Sequence, residues 1–261
     1  MISSMNGQAF VSNGLMAASN GSCAIGVMAK TPRPGFSKTR LCPPLSPAQA
    51  AALSAAFLRD TTTNIARAAL SVPVTGYAAY APSGTEEALI SHLAQGTVCV
   101  LADGSATMPP GVEGFGRCLL HAMQQMFAAG HTAACVLSSD IPTLPTRVLE
   151  TAVTALLSGN HRRVVLGACD DGGYYLLGMR SPHARLFADI AWSTGSVAAT
   201  TRTRAAELGL DLVELPPWYD IDDAAALERL VQESAGYDAL WTRHAIQMLG
   251  LETFARFQCS T

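Results

Sequence analysis

Long apolar runs are missing from this sequence. No stretch reaches the roughly 18 apolar residues that a membrane-spanning helix needs, so the chain reads as soluble, with no membrane partner. Charge is scarce too. Only 14% of residues are Asp, Glu, Lys or Arg, and 17 basic against 20 acidic side chains leave a formal net charge of −3. A dedicated nucleic-acid binder carries a basic face, so no nucleic-acid partner is expected. The cysteines, at positions 23, 42, 99, 118, 135, 169 and 259, form no CxxC pair. They read as small buried hydrophobes in a reducing compartment. The histidines lack HxxxH or HExxH spacing, which speaks against histidine zinc chemistry. Residues 1–22 carry no charged side chain, which excludes the basic start of a secretory signal and the arginine-rich pattern of a transit peptide. They read as a loose polar tail before one domain over 23–261, with a cytoplasmic location expected. A Walker A loop is absent as well: Ser37, not glycine, precedes Lys38. No GxGxxG fingerprint follows the first apolar run either.

What is present is alternation. With 49% apolar residues, the chain can bury a full core. Nearly all-apolar strands are expected at 23–30, 72–82 and 132–140, a strand, a glycine break and a second strand at 162–179, and a strand leading into a turn at 211–223. The stretch 97–104 reads as a further strand or an apolar loop. Helical spacing falls at 46–70, 84–96, 115–131, 144–159, 193–210, 223–236 and 238–254. Ser46 is placed to cap the first of these, with Pro47 suited to its first turn. Strands that are apolar throughout and separated by helices imply an α/β fold: one doubly wound domain with a mainly parallel central sheet. Ligands of such sheets bind beyond the carboxyl ends of the strands, so the strand-to-helix turns are where chemistry is sought.

Three charged stations fall at those turns. The first, "KTPRPGFSKTRLCPPL", begins at Lys30. Gly35 permits a turn that larger side chains resist, and Lys38 and Arg40 can neutralise a polyphosphate, with Lys30 and Arg33 adding charge. A solvated basic turn closed by prolines is the other reading. The second station is acidic: "VLSSDIPTL" ends a strand at Asp140, and "WYDIDDAAAL" ends another at Asp220, Asp222 and Asp223. Magnesium is held by one or two carboxylates together with substrate phosphates, which suits this pattern. Helix N-caps or Asx turns would also place aspartates here. The third station, "DDGGYYLLGM", sets Asp170 and Asp171 before Gly172 and Gly173. Tyr174 and Tyr175 then either pack on a sugar or base or fill core. Trp192, in "AWSTGSV", reads as an anchor packing under the site.

These runs, taken in order from residue 23 to about 230, resemble the DUF2064 family, small bacterial proteins of the GT-A, nucleotide-diphospho-sugar transferase type. The first loop is also similar to that of phospholactate guanylyltransferases. The resemblance implies that Lys30, Gly35, Lys38 and Arg40 form the phosphate site, and that Lys38, Arg40 and Asp140 are catalytic. Asp140, Asp220 and Asp222 would hold Mg²⁺ or Mn²⁺. Asp171, Gly172, Gly173, Tyr174 and Trp192 would face the acceptor. The chain departs from the family pattern at Ser138-Ser139-Asp140-Ile141-Pro142 and at the weakened "GVEGFGRCL", where base recognition would lie.

The expected function is a magnesium-dependent nucleotidyltransferase. It would join an NTP to a phosphorylated small-molecule acceptor, such as a sugar phosphate, and release pyrophosphate. A glycosyltransferase using a nucleotide-sugar donor is the alternative, and a non-catalytic nucleotide-binding protein the second alternative. A homodimer is compatible with the aromatic-containing C-terminal segment.

Overall fold

The computed structural model describes residues 21–253; the tail expected at 1–22 lies outside them except for its last two residues. The strands are β1 (Cys23–Ala29), β2 (Val74–Tyr80), β3 (Val98–Leu101), β4 (Ala133–Ser138), β5 (Arg163–Ala168), β6 (Tyr174–Met179) and β7 (Asp211–Glu214). The helices are α1 (Pro47–Ala68), α2 (Glu86–Ile90), α3 (Phe115–Ala128), α4 (Thr146–Ser158), α5 (Val197–Glu207), α6 (Ala224–Glu233) and α7 (Leu240–Met248). The ambiguous 97–104 stretch contains β3. Helix α5 starts four residues later than its sequence pattern suggested, because Ser193 sits at φ 62 and 193–196 form a turn instead.

The strands form one sheet of order β3-β2-β1-β4-β6-β5-β7, parallel throughout except for β6. The reversal at β6 follows from chain length. Residues 169–173 are too few for the crossover that a parallel return requires, so β5 and β6 close as a hairpin. Gly172, at φ +88, sits so close to Gly195 that an added Cβ would lie 2.0 Å from the Gly195 carbonyl oxygen. Only glycine fits there.

Side-chain alternation along the strands feeds two cores. Ile25, Val27, Cys135 and Leu137 face α1 and α4, while Ala24, Ala134 and Val136 face α3 and α5. This is the doubly wound arrangement. Helix α1 begins with a capping box. Ser46 accepts from the Gln49 amide at 3.3 Å, the Gln49 side chain accepts from the Ser46 amide at 2.8 Å, and Pro47 occupies the first turn. A third apolar cluster lies outside both faces. There Leu53 and Phe57 of α1 meet Leu230 of α6, Ile246 of α7, Leu41 and Ile221. The buried Asp60 carboxylate accepts the Trp241 and Thr242 amides and so caps α7 from α1. Helix α7 therefore docks on its own chain.

Candidate active site

A cleft of about 700 Å³ opens at the carboxyl rim of the parallel strands, lined by the ends of β1, β2 and β4, the start of β6 and the loops that leave them. The first station enters from β1. Its backbone is tethered by Leu41, fully buried in the third cluster, and Lys38 stands at φ 50 just before a single 3₁₀ turn, Thr39–Leu41. The last station must travel further. β7 lies at the sheet edge, separated from β4 by β6 and β5. After β7 the chain runs back along the rim. The Trp218 amide donates to Ala168, the Asp170 amide donates to the Trp218 carbonyl, and the Ile221 amide donates to the Asp140 carbonyl at 2.9 Å. Each bond ties the segment to another strand end, until Asp222 stands beside Asp140.

Lys38 lies between the two. Its Nζ is 2.8 Å from Asp140 Oδ2 and 2.7 Å from Asp222 Oδ1, and it donates to the Ile221 carbonyl at 2.7 Å. The side chain is only 7% exposed. Burial pushes its pKa down, but the Asp140 and Asp222 carboxylates more than offset this and hold the ammonium above its ordinary value. Lys38 stands here as a counter-ion of the two carboxylates. All three N–H donors are spent on protein oxygens. The cations that remain for an anion are Lys30 and Arg40. Both are exposed, both line the cleft, and neither has an ion pair among the described residues. Arg33 stacks on Phe36 at the mouth, and Gly35, at φ +78, shapes the turn without lining the cleft.

Asp140 and Asp222 therefore converge as the sequence suggested. Asp140 is held by Ser139, whose hydroxyl donates to it at 3.1 Å, and it caps no helix. Asp223, not Asp222, is the N-cap of α6, accepting from the Ala226 amide at 2.8 Å. Asp220 takes a different place from its expected partners. Its carboxylate, with that of Asp171 and the Cys169 thiol, forms a group whose donor atoms lie within 4.8 Å of one another. No cation pairs with Asp220 among the described residues. Burial first, then Asp222 and Asp171, push its pKa up to about 6.

The remaining expectations divide. Asp171, Gly173, Tyr174 and Trp192 line the cleft, whereas Gly172 turns away against Gly195. Trp192 meets Phe115 and Tyr174 edge-on, with ring centres 5.8 and 6.4 Å apart, and forms one wall. Tyr174 turns its ring to that wall, and its buried hydroxyl finds no hydrogen-bond partner among the described residues. Tyr175 is core, its hydroxyl donating to the Pro216 carbonyl. Asp170 lies outside the cleft and pairs with Arg229. Phe36 and Phe115, 74% and 46% exposed at the mouth, were not flagged from sequence. The available signal was their position beside glycines in strand-to-helix turns, where an apolar side chain has no core to enter.

Residues 53–194 match DUF2064, described as "uncharacterized protein conserved in bacteria". The chain belongs to this family. The matched span includes Asp140, the double glycine and Trp192, but neither Lys38 nor Asp222. A solved structure from Desulfovibrio desulfuricans G20, a "putative nucleotide-diphospho-sugar transferase", is 25% identical with a TM-score of 0.74, over 88% of this chain and 96% of that one. A CMP:2-keto-3-deoxy-manno-octonic acid synthetase solved with CTP is 12% identical, with a TM-score of 0.52 over 82% and 99% of the two chains. A cytidylyltransferase from Leptospira borgpetersenii serovar Hardjo-bovis is 11% identical, with a TM-score of 0.53 over 89% and 97%. Among curated proteins none matches the sequence. The fold is of the GT-A type, which this DUF2064 member shares with these proteins. No described helix is long and apolar enough to cross a membrane.

Proposed function

We propose that the protein is a cytoplasmic, divalent-metal-dependent nucleotidyltransferase that joins an NTP to a phosphorylated small molecule and releases pyrophosphate. One observation carries the reading. Two carboxylates and a backbone carbonyl, from β4 and from the segment after β7, converge on a single cation position beside a cleft that also presents Lys30 and Arg40. The donor set is entirely oxygen, which fits Mg²⁺ or Mn²⁺. When bound, such an ion, held by Asp140 and Asp222, would offset the charge of substrate phosphates. The chain's own contribution is positioning. Arg40 and Lys30 bind the polyphosphate from the β1 side, and Asp140 and Asp222 fix the metal edge of the site. An acceptor phosphate is already ionised at neutral pH and needs no general base. The Trp192–Phe115 wall supplies a flat apolar surface for a ring of either substrate.

The name of the D. desulfuricans protein supports a second reading, glycosyl transfer from a nucleotide sugar. A hydroxyl acceptor would then need a base. Asp220, with its pKa raised to about 6, and Asp171 beside it stand at the cleft in that role. Parallel incubations with Mg²⁺, one of each NTP with a panel of sugar phosphates and one of nucleotide sugars with hydroxyl acceptors, separate the two readings by product. Pyrophosphate is expected. Free nucleoside diphosphate from a nucleotide sugar would establish the second reading instead. Absence of product and of any thermal shift with NTPs or nucleotide sugars would overturn both and favour a non-catalytic binder.

A further inference from the structure

We propose that Lys38 is a resident counter-ion of the carboxylate pair, and that it must leave for a divalent cation to enter, so that metal and anionic substrate bind interdependently. The inference rests on the reading of Asp140 and Asp222 as metal ligands. The Lys38 ammonium sits 2.8 Å from Asp140 Oδ2, 2.7 Å from Asp222 Oδ1 and 2.7 Å from the Ile221 carbonyl oxygen. Those oxygens are the ones a hard cation would use, and the ammonium stands at their meeting point. A divalent ion and an ammonium cannot share that point, since like charges a few ångströms apart in a half-buried site repel strongly.

The backbone on both sides is fixed. Leu41, three residues after Lys38, and Ile221, next to Asp222, are fully buried in one apolar cluster. Metal entry therefore displaces the flexible four-carbon side chain rather than the loop. Lys38 lines the cleft that Lys30 and Arg40 also line, so the cleft is where the displaced ammonium goes. An empty cleft offers it only water. A cleft holding a polyphosphate offers it new anionic oxygens. Metal binding alone bears the loss of three short contacts, whereas metal binding with a polyphosphate recovers them elsewhere. That difference is a coupling free energy between the two ligands, and it is reciprocal.

The test is a Mn²⁺ titration of the full chain, read from the electron paramagnetic resonance signal of free Mn²⁺, with no phosphate present. Lys38→Met is expected to bind Mn²⁺ at least ~10-fold more tightly than the wild type, and Lys38→Met/Asp140→Asn to lose that binding. With inorganic pyrophosphate as the anionic probe, corrected against a protein-free titration, Mn²⁺ affinity should rise more for the wild type than for Lys38→Met. Equal Mn²⁺ affinity of the wild type and Lys38→Met would overturn the counter-ion role while leaving the metal site standing. No Mn²⁺ binding by either, with or without pyrophosphate, would overturn both. Should Lys38→Met fail to fold, acetylation of Lys38 by acetic anhydride in the wild-type chain, followed by mass spectrometry, gives the same answer. Saturating Mn²⁺ should raise its acetylation by evicting the ammonium into the cleft, and unchanged acetylation would overturn the proposal.

Discussion

Two carboxylate pairs share one rim of the sheet under opposite electrostatic conditions. Asp140 and Asp222 have a buried ammonium between them. Asp171 and Asp220 gather beside Cys169 with no cation on Asp220, whose pKa climbs to about 6. Both pairs come from strand ends and both border the cleft, so motif and position do not separate them. Compensation does. Where a fixed cation is built in, the carboxylates already hold a charge partner at the point where another cation would sit. Where none is, burial first and then the neighbouring carboxylates favour a proton on Asp220. The first pair suits ion binding, and Asp220 in the second suits accepting a proton near neutral pH.

The largest way to break this contrast is Asp140→Asn, which should lower turnover by at least ~100-fold, the scale of losing one contact to a developing charge. Transfer assays with the NTP and sugar-phosphate panel would read it, and near wild-type activity would remove the first pair from the chemistry. Lys38→Met comes next. It leaves two carboxylates facing each other and should destabilise the metal-free chain by about 2 kcal/mol, below the ~3–5 kcal/mol of a fully buried pair, because Asp222 remains partly exposed. Denaturant titration in chelator measures it, and an unchanged midpoint would mean the ion triad contributes nothing.

The second pair predicts a pH dependence of opposite origin. The folded Asp220 holds its proton up to about pH 6, above the ordinary 3.8 of the unfolded chain. Its contribution to stability is therefore present at acid pH and is lost as pH rises from about 4 to about 6. Melting temperatures in chelator should show Asp220→Asn gaining on the wild type from pH 4.5 to 7.5; a constant difference would mean that Asp220 titrates normally. The smallest effect is expected far from both pairs. Arg202→Gln, which removes the exposed pair with Glu214, should change stability by no more than ~0.5 kcal/mol. A larger loss would show that surface charge, not the rim, dominates this protein's electrostatics.

Much of this was legible beforehand. Apolar strands broken by helical spacing pointed to the doubly wound sheet, and the glycine break of "DDGGYYLLGM" falls between two of its strands. Asp140 was visible because it closes the buried run of β4. The partners of Lys38 were not legible, since a lysine in a basic loop next to Arg40 carries no local sign that two distant carboxylates meet it. The surroundings of Gly172 were hidden for a related reason: a double glycine signals close approach, but not that the Gly195 backbone is what approaches.

The sequence by itself determined where the charges stand along the chain, because strand periodicity and strand ends are local properties that residue pattern controls directly. Only the tertiary structure decided which charge meets which. Lys38 and Asp222 are 184 residues apart. They touch because the segment after β7 returns across the ends of β5 and β4, and because Leu41 and Ile221 bury themselves in the same cluster against α1. Which ions are neutralised follows from that path, and a path set by packing leaves no local mark in the order of residues.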